Sequence, residues 1–239
     1  MTRKPCTPLK VTAHLKDGRI NSADGIIMLD SIVYHGWFAK YAPNVLRGEA
    51  SQDYNQRYIG LPFVSLSDNR WAASKGIYTE LSVSVEHYNK RPDFFTADKI
   101  SKLKQDKGII SDSIGPYRAY RKPNIIRTVK DGIITFYAKG HKAPIEELLF
   151  YIPAICKKAS MGWGIIDKWI VEEIDEDYST WHPEHGLMRP VTIDEAKQLK
   201  LDMTGYPIFE YGIKPPYWKP SNTRLCYVPV AGRGGQTDA

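Results

Sequence analysis

Twice along this chain the spacing of apolar residues switches from every second position to every third or fourth, which limits the fold to layers of sheet and helix. Leu9, Val11, Ala13 and Leu15 alternate with Lys10, Thr12, His14 and Lys16, the period of a half-buried strand. A turn at Asp17-Gly18 follows. From about Met28 the pattern becomes helical, with Leu29, Ile32, Val33, Trp37 and Tyr41 on one stripe and Pro43 closing the run. The second switch begins at Ile125. The sequence predicts a hairpin from Ile125–Val129 and Ile133–Ala138, because the intervening Lys130-Asp131-Gly132 suits the positive φ of a tight turn. A helix over Pro144–Ile152 comes next: Pro144 suits an early position and Glu146 and Glu147 the positive end. Ile145, Leu148, Leu149 and Ile152 form its apolar stripe. Ile165–Ile174 then reads as a strand.

Between these two units the sequence predicts a short strand at Pro62–Leu66 and another over Ile77–Val85. Asn89–Pro123 is basic, polar and punctuated by Pro92, Gly108, Gly115, Pro116 and Pro123, which reads as an insertion with a short helix around Ala97–Lys104. Further on, Thr192 with Glu195 forms a capping box for a helix reaching Leu199, and short strands are expected near Phe209 and over Leu225–Val228. The main elements run strand, helix, strand, strand, helix, strand. That order predicts an α+β fold with a ferredoxin-like (RRM-type) βαββαβ core, in which an antiparallel sheet carries both helices on one face. A long basic, thumb-like insertion within 44–123 and a C-terminal extension are added to it. The expectation is one domain over 1–230 and a flexible tail over 231–239.

Hydrophobic residues make up 42% of the chain, enough for a core and too many for wholesale disorder. The net charge of +6 is a weak pointer to a polyanion, but its distribution says more. Lys99 to Lys142 holds eleven Lys and Arg against Asp106, Asp112 and Asp131, whereas Asp167 to Glu184 is acidic apart from Lys168. One region can meet a nucleic acid and the other a basic partner; solvated faces of opposite sign fit the charges equally well. The three cysteines, Cys6, Cys156 and Cys226, are far apart and form no Cys-x-x-Cys pair, which argues against a disulfide framework or structural zinc and for a reducing cytoplasm. Met1–Lys10 has no apolar signal core, and no stretch approaches the roughly 20 apolar residues that span a bilayer.

The main candidate site is Lys157-Lys158-Ala159-Ser160-Met161-Gly162-Trp163-Gly164, between the second helix and the last core strand. Gly162 and Gly164 permit positive φ and close approach to a phosphate. Lys157 and Lys158 neutralise it, Ser160 donates a hydrogen bond, and Trp163 offers a stacking face. With no helix after the glycines, this is not a Walker-type nucleotide loop. A tight helix-to-strand connection with Trp163 in the core fits the same residues. The second candidate set is Arg118, Tyr120, Arg121 and Lys122, aromatic and cationic residues interleaved as in a sequence-tolerant single-strand groove, with Arg127, Lys130 and Lys139 adding charge. Of the histidines, His182-Pro183-Glu184-His185 has a metal-like look but lacks a Cys-x-x-Cys partner and is broken by proline, so it reads as a solvated loop with no metal. His35, beside Tyr34 on the first helix, could act as general acid or base on an RNA 2′-hydroxyl, although an ordinary helix-surface histidine is the simpler reading. No cofactor motif is present.

The Lys-Lys-x-x-x-Gly-aromatic-Gly loop, set in a βαββαβ core, resembles the RAMP superfamily of CRISPR-associated RNA-binding proteins. Leu29–Val33, Trp71–Ser74, Tyr88–Arg91, Arg189–Val191 and Pro215–Trp218 running into Leu225–Pro229 are similar to segments of the RAMP subunit of type IV CRISPR effector complexes, and the likeness spans about 8–230. The resemblance implies a non-catalytic subunit that caps the 5′ handle of the guide RNA and contacts a backbone RAMP subunit and a large subunit involved in recognising target DNA. It also implies that Lys157, Lys158, Ser160, Gly162, Trp163 and Gly164 hold the RNA, while the second set rests on composition. The competing expectation from the same superfamily is a metal-independent endoribonuclease that trims precursor guide RNA, with His35 as general acid or base helped by Tyr34 or a lysine.

Overall fold

The structure is a computed structural model that describes residues 5–49, 59–67, 70–90, 95, 98–99, 102 and 120–230. The described elements in chain order are β1 (Thr7–Leu15), β2 (Arg19–Asn21), α1 (Leu29–Tyr41), α2 (Pro43–Leu46), β3 (Glu80–Lys90), β4 (Tyr120–Val129), β5 (Ile133–Gly140), α3 (Lys142–Phe150) and β6 (Ile166–Glu173). The C-terminal part adds β7 (Trp181–His182), β8 (Gly186–Leu187), β9 (Val191–Thr192), α4 (Ile193–Gln198), β10 (Ile208–Gly212) and β11 (Thr223–Tyr227).

β1 lies at the centre because its alternation gives it one wholly apolar face. It pairs antiparallel with β5, Val11 opposite Phe136, and with β6, Val11 opposite Val171. Leu9, Val11 and Ala13 are buried with Ile134, Phe136 and Ala138 of β5. The core they share also takes Leu29, Ile32, Val33 and Phe38 of α1 and Ile145, Leu148 and Leu149 of α3. The two helices meet where Gly36 lets the backbone of α3 close in: a Cβ there would lie 2.5 Å from the Leu148 carbonyl oxygen. Along the other edge of β5 run the irregular stretches 62–67 and 70–77, bridged antiparallel at Phe63–Gly140, Ala73–Ala138 and Ile77–Thr135. Spatially the order is therefore β6, β1, β5, then these two stretches. The expected strand at Pro62–Leu66 is present only as bridges, because Ser65 turns back to pair with Trp71.

The hairpin expected at 125–138 does not form. β4 joins a separate sheet, in the order β2-β4-β3, while β5 joins β1. Asp131 and Gly132 do adopt left-handed backbone (φ 56° and 63°), but they make a corner between two sheets. The corner is locked by Gly18: the Val129 amide donates to the Gly18 carbonyl at 2.7 Å, and a Cβ on Gly132 would meet the Leu15 carbonyl oxygen at 2.9 Å. The turn residues thus act as their chemistry predicts, while the strands on either side of them pair elsewhere.

β3 and β4 form a long two-stranded stem, paired from Glu80–Val129 at the base to Lys90–Tyr120 at the far end. Strand structure thus replaces both ends of the region expected as a loose insertion. Phe95, Asp98, Lys99 and Lys102 are helical, as expected around Ala97–Lys104; most of 91–119, including Arg118, and the tail 231–239 lie outside the described residues.

The C-terminal extension builds a small third sheet, β10-β11-β9, capped by α4. Thr192 caps α4 by accepting the Glu195 amide proton at 3.3 Å. The Glu195 carboxylate does not return to the cap; it is taken by Arg70 and Arg189, which are both buried. Two further ties hold this part to the rest. The Tyr217 hydroxyl donates to the buried Asp30 carboxylate of α1, with both oxygens at 2.9 Å, and the Lys75 ammonium donates to the Val230 carbonyl at 2.6 Å. Among the described residues no helix is long and apolar enough to cross a membrane.

Candidate nucleic-acid interface

α3 ends at Phe150, and the chain returns to the central sheet through a loop whose neck is fixed by backbone bonds. The Ile155 amide donates to the Gly164 carbonyl at 2.9 Å, and the Gly164 amide donates to the Arg19 carbonyl at 2.6 Å. Gly164 has φ 70°, and a Cβ there would sit 2.1 Å from the Ile155 carbonyl oxygen. Only glycine closes this neck. Trp163 beside it is 2% exposed, so its ring is an anchor and not a stacking face. The neck therefore belongs to the fold: Trp163 and Gly164, expected among the residues that touch a ligand, are both buried in it.

Beyond the neck the loop projects. Lys157, Ala159, Ser160, Met161 and Gly162 are exposed, and Ala159–Met161 form one 3-10 turn. Gly162 has φ 88° and open space where a Cβ would be. Lys158, a non-glycine residue, also lies in the left-handed region with φ 66°. A side chain in that conformation costs roughly 1–3 kcal/mol and persists only where surrounding structure fixes it.

Part of what it meets is the stem. The Lys158 ammonium sits 4.0 Å from the centroid of the Tyr88 ring, a cation–π contact, and the Tyr88 and Tyr120 rings lie 6.2 Å apart. Tyr88 is opposite Lys122 in the β3–β4 register. Strand alternation then puts Tyr88, Tyr120 and Lys122 on one face of the stem and Arg121 on the other. The glycine loop and the aromatic, basic segment, some 35 residues apart in sequence, thus make one continuous patch. Tyr88 was not singled out as a contact from the sequence. Its signal is its place in the β3–β4 register, which no short-range pattern reveals.

Two other expected contacts lie elsewhere. Each nitrogen of the Arg127 guanidinium has a partner: Nε and Nη2 bond the Ser22 and Ala23 carbonyls at 2.9 Å each, and Nη1 pairs with Glu80. It clamps the stem base and has little left to offer a phosphate. Lys139 is on β5 in the central sheet and faces Asp177 at 3.9 Å. It borders the acidic stretch and not the stem patch. On α1, His35 is exposed over much of its surface but desolvated enough by its neighbours to lower its pKa, and among the described residues none hydrogen-bonds to it. Tyr34 packs edge-on to Phe38 with ring centroids 5.0 Å apart, its pKa raised by burial.

Comparison with known families identifies the chain as a CRISPR-associated protein of type IV. Residues 7–229 match the family described as "CRISPR type IV associated protein Csf3", and the chain belongs to that family. No curated protein matches it. Among solved structures it is similar to a chain of the "Csm3-Csm4 subcomplex in the type III-A CRISPR-Cas interference complex", at 12% identity and a TM-score of 0.40 over 93% of this chain and 90% of that one.

Proposed function

We propose that the chain is a non-catalytic RNA-binding subunit of a type IV CRISPR effector ribonucleoprotein, gripping the 5′ handle of the guide RNA. The observation that carries this reading is the Lys158–Tyr88 contact, which joins an exposed lysine-bearing loop to an aromatic and basic strand face. Stacking rings beside cations are what a single strand needs: each base has a π-face, and each phosphate a charge to be met. Membership of a type IV CRISPR family supports RNA as the polyanion. The strand order β6, β1, β5 and the bridged stretches 62–67 and 70–77, with α1 and α3 packed on one face, reads as a ferredoxin-like core of RAMP type. In such an assembly a backbone RAMP subunit and a large subunit are the neighbours, target DNA lies within reach, and the cytoplasm is the compartment.

Incubation of the purified protein with a repeat-containing RNA in EDTA tests the proposal. The expected outcome is binding without cleavage, weakened by Lys158→Ala and Tyr88→Ala. Specific cleavage that disappears in His35→Ala overturns the non-catalytic role, and unchanged binding in both patch variants overturns the site.

A further inference from the structure

The structure assigns a metal site to the turn of the β7–β8 hairpin, where His182, Glu184 and His185 hold one zinc ion. The hairpin pairs Trp181 with Leu187 and His182 with Gly186, so Pro183-Glu184-His185 close it. That closure brings one ligand atom from each of the three side chains within 4.8 Å of one another. Two imidazoles and a carboxylate are a zinc donor set that leaves a fourth position for water. Ligands around tetrahedral zinc sit ~3.4 Å apart at ordinary bond lengths, so the three need shifts of about an ångström, well within side-chain rotation.

A second observation is independent of the spacing. Nδ1 of His185 is buried without a hydrogen-bond partner. Enclosed polar atoms are rarely left so, and a metal ion is a partner that satisfies this one. Nδ1 of His182 accepts the Glu184 amide proton at 3.1 Å, which aims its lone pair into the turn. Zinc entering there replaces that proton, and because the bond is exposed the amide passes to water. The charges facing the site are opposed: Glu184 favours a cation, while Lys75 disfavours one but is held by the Val230 carbonyl. The His182 ring is braced by Tyr178 at 4.6 Å and by Tyr137 of β5 at 5.3 Å, centroid to centroid. A bound ion therefore closes the turn of the β7–β8 hairpin, while the ring contact to Tyr137 keeps that turn against β5. The site does not depend on the RNA-binding reading.

The test is calorimetric titration of the untagged, chelator-treated chain with zinc chloride, alongside its melting temperature with and without zinc. The expected result is one zinc per chain and a rise in melting temperature. Glu184→Gln and His185→Ala should each weaken uptake by about tenfold or more, and His87→Ala should leave it unchanged. Glu184 is exposed, so its variant keeps the fold, and its melting temperature in EDTA should equal that of the wild type. Absence of uptake by the wild type, or uptake unchanged in both Glu184→Gln and His185→Ala, overturns the assignment.

Discussion

Replacing Gly162 and Gly164 with alanine, one at a time, separates the neck of the loop from its projecting part. Both residues have left-handed backbone, φ 88° and 70°, where an L side chain costs about 1–2 kcal/mol. At Gly162 nothing lies within 4 Å of the added methyl, so that conformational cost is the whole effect. At Gly164 the methyl would sit 2.1 Å from the Ile155 carbonyl oxygen, a backbone atom that cannot rotate away. Relieving the overlap strains or breaks the Ile155–Gly164 and Gly164–Arg19 bonds, adding about 1–3 kcal/mol for overpacking. Gly164→Ala should therefore lose about 2–5 kcal/mol. In a chain of this size each kcal/mol moves the melting temperature by roughly 2–4 °C, so its transition should fall by about 4–20 °C, and that of Gly162→Ala by a few degrees. RNA affinity measured well below both transitions should drop in Gly162→Ala out of proportion to its stability. Equal melting temperatures for the two variants would refute the division into a structural neck and a functional tip.

The double change Lys157→Ala/Lys158→Ala should weaken RNA binding and flatten its salt dependence by about 0.7 in slope for each phosphate no longer neutralised, read from affinities at several salt concentrations, while melting remains near wild type. Tyr88→Ala should cost about 1–3 kcal/mol in RNA affinity and Tyr88→Phe much less, by fluorescence anisotropy; equal losses would point to the hydroxyl instead of the ring. Burial pushes the Asp30 carboxyl up to about 7 from an ordinary value of 3.8. The folded state then binds the proton more tightly, so the Asp30 contribution is fully present below pH about 4 and is lost as pH rises to about 7. Urea melts of Asp30→Asn should lack this decline, so its stability relative to wild type should improve from pH 4.5 to 7.5; a constant difference would contradict the shift. Glu195→Ala strands Arg70 and Arg189, both buried, and should cost about 3–5 kcal/mol, seen as early hydrogen exchange in residues 187–228.

The sequence by itself determined the elements that rest on local periodicity. The alternation of Leu9–Leu15 and the stripe of Leu29–Tyr41 became β1 and α1, and Ile145, Leu148 and Leu149 became the buried face of α3, because each pattern has one geometry that buries it. Thr192 capped its helix because that bond spans three residues. The type IV CRISPR family was also legible, in short motifs spread along the chain. What the tertiary structure decided were the long-range choices. Asp131-Gly132 specifies a turn but not which strand lies beside it, and Gly18, pressed against the corner, sends β4 and β5 to different sheets. Lys, Gly and Trp in one loop look alike as ligands; burial alone separates Trp163 and Gly164, which hold the neck, from Lys158, which reaches Tyr88. Arg127 looked like part of a basic patch until its partners Ser22, Ala23 and Glu80 appeared. Periodicity records which face of a residue is hidden, whereas the pairing of two segments depends on the closure of the chain between them, and the residues of neither segment encode that alone.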